Sequence, residues 1–456
     1  MNPTILFNHY DTFVSEATAS LPPIADATHE SVHEIFNNYE YPVSSWPVII
    51  DSEISNKLEK MCVRLSALLR KIPACYFKND VKKIADFYFN GNEMLAQFVL
   101  MCHEKEVEIG SRLDLTYTEN GFKVLEVNIG TSIGGWQIQS FDALIRSMHS
   151  ALSSEETSAN FTAINTQQKY AEFLIEKIKN YVPGIANEIN IIIVGLPKVE
   201  KDTKMVSDGL YFFNELIQKE LHKRNLTGKV YDADPATLQF TPQGLFLNNI
   251  QIHSVLYFSF KDTDEIPPIL TRAFITDKIY FPDHIGTAML GDKRNLGILR
   301  TLAEKKTFSE EDNALLLDCI PWAAELKNQE VTFRSQTTNL LELLKTQKDQ
   351  FVIKPAAGFQ GKSVFVGKFL SQDAWEKAIE ESLPHAAFIA QEFCESLNFH
   401  APNNENEWTP HKLIWGAFGF GNNYGGVWVR MSSSKTDGGV INSATGAIEA
   451  IVYEGK

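Results

Sequence analysis

Three residues near the end of the first quarter of the chain, Asp114, Glu126 and Asn128, have types and spacing that could do chemistry. The interval from 114 to 126 fits two antiparallel strands joined at Asn120-Gly121, a strong hairpin signal. Such a hairpin sets Asp114 beside Glu126. Glu126 and Asn128, two apart on one strand, point to the same face. Two carboxylates and an amide oxygen are hard ligands, suited to Mg2+ on nucleotide phosphates. Glu-x-Asn alone says little, because it recurs at Glu188 and Asn190 and at Glu311 and Asn313. Only Glu126 has the partner aspartate, the strand context and a Gly-rich turn after it. A solvated sheet face has the same pattern. A second set lies at 356–363, a Gly-containing turn between two strand-like runs. Its backbone N–H groups could lie over phosphates, and Lys354 just before it could add a point charge. It is not a Walker A loop, since the spacing fails and a strand follows. An ordinary hairpin with an exposed lysine is the competing reading. The third set is Arg430, which closes an aromatic, β-branched strand before a Ser/Gly-rich loop holding Asn442 and Gly446. An arginine there can bind an anion or simply face solvent.

These groups need a scaffold. Helical periodicity is expected at 54–70, 91–106 and 136–152, with the hairpin at 113–127 between them. From about 168 to 270 the pattern alternates: helix 170–181, a buried strand at 190–195, helix 209–223, a short strand at 228–231, then a hairpin feeding a strand over 238–260. No GxGxxG marks a dinucleotide site there. The last part is strand-rich, with strands at 351–355 and 387–393, a helix at 373–382, and an exposed polar loop at 401–410.

The chain has 456 residues, 44% hydrophobic and 22% charged, which excludes disorder, collagen and coiled coil as its main architecture. Its net charge of −15 argues against nucleic acid and against an anionic membrane as partners. Five scattered cysteines form no CxxC, so neither a zinc site nor a disulfide framework is indicated. The first residues lack a signal peptide's basic and apolar regions, and no apolar run is long enough to span a bilayer, so a cytoplasmic location is expected. The two NxT sequons, at Asn160 and Asn225, read as chance.

Taken in order, the sets resemble the ATP-grasp fold in circularly permuted order, as in eukaryotic glutathione synthetases. Arg112-Leu-Asp114, then Glu126-Val-Asn128, Thr131, Ser132, Gly134 and Gly135, are similar to that family's RxD…ExN…S…GG segment. Arg430, Ser433, Ser434, Asp437, Gly438, Gly439 and Val440 resemble its C-terminal arginine and DGGV loop. Leu290-Gly-Asp-Lys293 resembles the segment of the first ATP lysine, Lys354 resembles the second, and Gln391-Glu392-Phe393 resembles the adenine hinge. There are departures. Ala356-Ala357-Gly358 stands where the family has a metal-binding glutamate, and the ExN-to-GG interval is one residue shorter. Arg430-Met431-Ser432 lacks the family's lysine, for which Lys435 is a substitute.

The resemblance implies an α/β protein with α+β elements, a permuted ATP-grasp fold with an inserted open α/β substrate lobe. It divides as 1–165 with the metal segment 112–136, the lobe 166–275, and 276–456 with the loops 356–363 and 430–446. It implies ATP and Mg2+ as cofactors, small carboxylate and amine substrates, and a homodimer. Asp114, Glu126 and Asn128 would hold the metal, and Lys293 and Lys354 the phosphates. Gly358, Gln360, Gly361, Lys362 and Ser363 would form the phosphate lid, and Gln391, Glu392 and Phe393 would bind adenine. Arg112 would hold a substrate carboxylate, and Arg430 the acyl phosphate and its oxyanion. Thr131, Ser132, Gly134, Gly135 and Asn442 would shape the substrate pocket. The expected activity is an ADP-forming amide ligase for a small amino-acid-like or specialised metabolite. Glutathione synthetase proper, and an ATP-grasp kinase, are the alternatives.

Overall fold

The computed structural model describes residues 21–455 except 197–202, 259–265, 358–362, 385–386, 404, 434–440, 442 and 444–445. Its main sheet runs, edge to edge, Val48–Ile50, Ile448–Gly455, Asn423–Ser433, Trp408–Phe420, Gly110–Thr118, Gly121–Ile129. Asn398–Pro402 and Phe161–Thr162 pair with it off this path. All neighbours are antiparallel except Val48–Ile50 with Ile448–Gly455. Three consecutive strands from the end of the chain therefore lie between strands from its beginning, and a single strand, Trp408–Phe420, separates those of Arg112 and Arg430.

Helix Ser52–Leu69 covers one face of this sheet. Asp51 caps it by accepting from the Ile54 N–H at 2.8 Å. Its buried residues Ile54, Leu58, Met61, Cys62, Leu65 and Leu69 repeat at helical spacing and join the main core. The expected hairpin forms, but its two turn residues are Glu119 and Asn120, and Gly121, at φ +81°, opens the second strand opposite Thr118. The expected helix at 136–152 is instead a 3-10 turn, Trp136–Phe141, followed by Asp142–Met148 and Ser150–Ser153. His149, with extended backbone, separates the last two. The loop expected at 401–410 is shorter, because both of its ends belong to paired strands.

A second core surrounds a parallel sheet of Ser254–Tyr257, Ile191–Val194 and Val230–Asp232, with helix Thr166–Tyr181 against it. Ile191–Val194 is buried throughout, which explains its unbroken β-branched run. The region after 238 is a three-stranded meander before Ser254–Tyr257, not one hairpin. A third core lies under the four-stranded sheet of Ala323–Glu325, Phe388–Glu392, Phe351–Pro355 and Phe365–Val366. No helix among the described residues is long and apolar enough to cross a membrane.

Candidate functional site

The hairpin gathers most of the expected groups. Asp114 stands opposite Glu126, and Arg112 opposite Asn128. Beyond Asp114 the register shifts, so that Leu115 faces Val124 and Leu125 is an extra, unpaired residue. This bulge turns the Leu125 carbonyl out of the ladder. It accepts from Lys354 Nζ at 2.8 Å, and Gln391 Nε2 approaches it at 3.5 Å.

Asp114 lies between two guanidinium groups. Arg112 donates to it through Nε at 2.7 Å and Nη2 at 3.1 Å, and Arg430 donates through Nη2 at 2.6 Å. All three residues are buried. Burial alone would raise the Asp114 pKa, but the charges of Arg112 and Arg430 outweigh it and hold the value down to about 2. The Trp428 ring lies beside both arginines, 5.9 Å from the Arg112 guanidinium carbon and 5.3 Å from that of Arg430. It fits because two facing residues have no side chain. A Cβ on Gly416 would stand 2.2 Å from Trp428 Nε1, and one on Gly135 2.1 Å from Cε2. Gly135 also has φ +99°, where a larger residue is strained.

Three buried donors in this cluster have no hydrogen-bond partner among the described residues: Arg430 Nε, Asn128 Nδ2 and Trp428 Nε1. Buried donors are normally paired, so their presence beside two arginines marks a place for an anion. Glu449 flanks the cluster on the other side, opposite Arg430 in register and only 1% exposed. It accepts from Tyr39 Oη at 2.7 Å and Ser443 Oγ at 2.6 Å. Burial raises its pKa against these bonds and the nearby arginines.

The two lysines meet the hairpin from the third sheet's side. Lys293 Nζ is 3.4 Å from Glu126 Oε2, and its backbone N–H donates to Ala356 O at 2.9 Å. Lys354 is buried, and burial together with the Lys293 charge lowers its pKa to about 8 despite Glu126 nearby.

Some expected roles change. The Asp114 carboxylate was expected on a metal, but both of its oxygens are committed to arginines. Glu126 and Asn128 keep oxygen donors on that face. No group of three His, Cys, Asp or Glu side chains that could hold a metal occurs among the described residues. Thr131 is half-buried and held by Asp283: its N–H donates to Asp283 Oδ1 at 2.7 Å, and its hydroxyl to Asp283 Oδ2. Asp283 also accepts from the Tyr257 N–H at 2.9 Å, and burial raises its pKa. Ser132 is exposed, and the Gly134 carbonyl accepts from Arg112 Nη1 at 2.6 Å. In the expected hinge, the Glu392 and Phe393 N–H groups already bond Trp322 O at 2.8 Å and Gln350 O at 2.7 Å, so neither is open to adenine. The Glu392 carboxylate pairs with Arg334 at 2.8 Å. Ser363 is exposed in a turn at φ +58°. Gly358, Gln360, Gly361, Lys362 and Asn442, with Ser434, Lys435, Asp437, Gly438, Gly439 and Val440, lie outside the described residues.

Sequence reasoning missed Asp283, Glu449, Trp428 and Tyr39. Glu449 had a signal, an isolated acid inside the apolar strand AIEAIVY. Asp283, in Phe281-Pro282-Asp283, had none.

No protein-family profile and no curated protein matches this sequence. Solved structures do match. A glutathione synthetase-like effector from Globodera pallida, solved in its apo form, superposes with a TM-score of 0.55 at 13% identity, over 91% of this chain and 90% of that one. The chain has a glutathione synthetase-like fold. A putative gamma-glutamylcysteine synthetase from Methylobacillus flagellatus aligns over 88% of both chains at 12% identity, with a TM-score of 0.41.

Proposed function

We propose that the protein is an ATP-dependent ligase that joins the carboxylate of a small amino-acid-like or specialised metabolite to an amine, with the permuted ATP-grasp arrangement as its frame. One observation carries this reading. A single hairpin holds two separate cationic sets, Lys293 and Lys354 at Leu125 and Glu126, and Arg112 and Arg430 at Asp114. A reaction between a nucleotide and a carboxylate requires two such anion sites side by side. ATP supplies the γ-phosphoryl group that activates the carboxylate, with ADP and phosphate as products.

The chain mainly positions charge. Lys293 and Lys354 hold phosphates. Arg112, fixed by Asp114 and the Gly134 carbonyl, keeps the substrate carboxylate in place. Arg430, whose Nε has no partner among the described residues, faces the charge that develops on the reacting acyl group. The Trp428 ring packs beside both guanidinium groups and limits how each can turn.

Mg2+ fits a reduced donor set. It needs only one or two carboxylates when phosphate oxygens complete its shell. Glu126 and the Asn128 amide oxygen meet that need, and Asp114 is left to the arginines. Bound there, Mg2+ supplies neutralisation of phosphate charge.

The test is 31P NMR of the purified chain with Mg2+, ATP and a mixed pool of amino acids, dipeptides and small carboxylates. Growth of ADP and inorganic phosphate that is lost in Arg430→Met supports the ligase. AMP with pyrophosphate refutes it, and a persistent phosphorylated organic product makes the protein a kinase.

A further inference from the structure

Both lysines assigned to phosphates are already engaged by the hairpin. Lys354 Nζ bonds the bulge carbonyl of Leu125 at 2.8 Å. Lys293 Nζ lies 3.4 Å from the carboxylate of the next residue, Glu126. The bond from Lys293 N–H to Ala356 O ties the two lysine segments to one another. The Lys293 side chain is 11% exposed and that of Glu126 29%, so this pair is only partly screened by water. A carbonyl dipole and a carboxylate thus sit where two ammonium groups would meet phosphate oxygens. Any phosphate that binds must displace these contacts or share them.

We infer that Glu126 is an internal competitor of the nucleotide's phosphates for Lys293, and that a divalent cation reverses the sign of its effect. This rests on the nucleotide reading above. Without a cation, the carboxylate occupies Lys293 and repels the incoming phosphates. With a cation between them, the same carboxylate and the phosphates become co-ligands, and repulsion turns into bridging. Asp114 does not share this role, because its charge is neutralised by Arg112 and Arg430.

The experiment is isothermal titration calorimetry of the full chain with the β,γ-imido analogue of ATP, once in EDTA and once in excess Mg2+. Wild type, Glu126→Gln and Glu126→Ala are compared after circular dichroism has shown all three folded. The expected result is a crossover. Both variants bind about fivefold or more tightly than wild type in EDTA, and about fivefold or more weakly in Mg2+. General damage to the fold weakens binding in both buffers and cannot produce that reversal. Folded variants that bind no better than wild type in EDTA overturn the inference while leaving the nucleotide site in place. No binding by wild type in either buffer removes the nucleotide site itself, and the inference with it.

Discussion

Replacing Asp114 by Asn tests the centre of the site. The substitution keeps the shape and one acceptor oxygen but removes the charge bonded to both Arg112 and Arg430, which are 9% and 8% exposed. Leaving two buried guanidinium groups without their shared carboxylate costs about 3–5 kcal/mol at neutral pH. The pH dependence follows from the lowered pKa. The folded value is about 2 and the ordinary value 3.8, so the folded state binds the proton less readily than the unfolded one. The charge therefore stabilises the fold above pH 3.8, and this stabilisation is lost as pH falls through 2. In full it is about 2 kcal/mol, of which about 1 kcal/mol is gone by pH 3. Urea unfolding of wild type and Asp114→Asn, followed by tryptophan fluorescence from pH 6 to pH 3, reads the gap between them. Titrating groups that do not face Arg112 or Arg430 are common to both proteins and cancel; Glu449, which does, is replaced by Gln in both backgrounds. The gap should be largest near pH 6 and shrink by about 1 kcal/mol at pH 3. A gap below about 1 kcal/mol at pH 6, or one that does not move with pH, refutes the triad as described.

Three further outcomes follow. The raised Glu449 pKa means that wild type should lose stability relative to Glu449→Gln as pH rises above 4.5 through the folded value, so paired denaturation curves from pH 4 to pH 8 should diverge. Gly135→Ala should cost about 2–4 kcal/mol, since its Cβ meets Trp428 at 2.1 Å and φ is +99°, and the near-UV circular dichroism of Trp428 should change with it. Asp283→Ala should cost about 1–3 kcal/mol, by leaving the Thr131 and Tyr257 donors unpaired, and should speed amide exchange at Thr131 and Tyr257 selectively.

The hairpin was legible because its signals are local. Asn120-Gly121 marks the turn, but counting outward from the Thr118–Gly121 pair would set Asp114 opposite Leu125, and the extra residue of the bulge moves it to Glu126. The bulge at Leu125 was not legible, since no residue type demands it, yet it decides where Lys354 reaches. The meeting of Arg112 with Arg430 could be reached only through the resemblance, because it depends on strand Trp408–Phe420 lying between theirs. The arginine contacts of Asp114 were illegible for a related reason. Spacing showed a carboxylate beside Glu126, but the guanidinium that closes over it comes from 316 residues away. The bond from Thr131 to Asp283, on a segment 152 residues distant, was illegible in the same way. Sequence spacing gives the acids and amides of one hairpin, while long-range partners determine which of them remain open to a ligand.

The orientation of the arginine pair depends on more than charge. Arg112 and Asp114 sit two residues apart on one strand and would meet on any flat sheet. Arg430 reaches Asp114 across Gly416, the residue paired with both Asp114 and Trp428. Any side chain at 416 would fill the space that Trp428 takes, and any at 135 would push the ring from the other side. Without the ring, two guanidinium groups next to one carboxylate would have several arrangements available, each with different open donors. With it, the arrangements are fewer, and in the one observed Arg430 Nε and Asn128 Nδ2 are buried with no partner among the described residues. The geometry of the arginine pair is therefore written partly in two glycines and a tryptophan. A substitution at Gly416 should disturb ligand affinity as strongly as the loss of one arginine's charge.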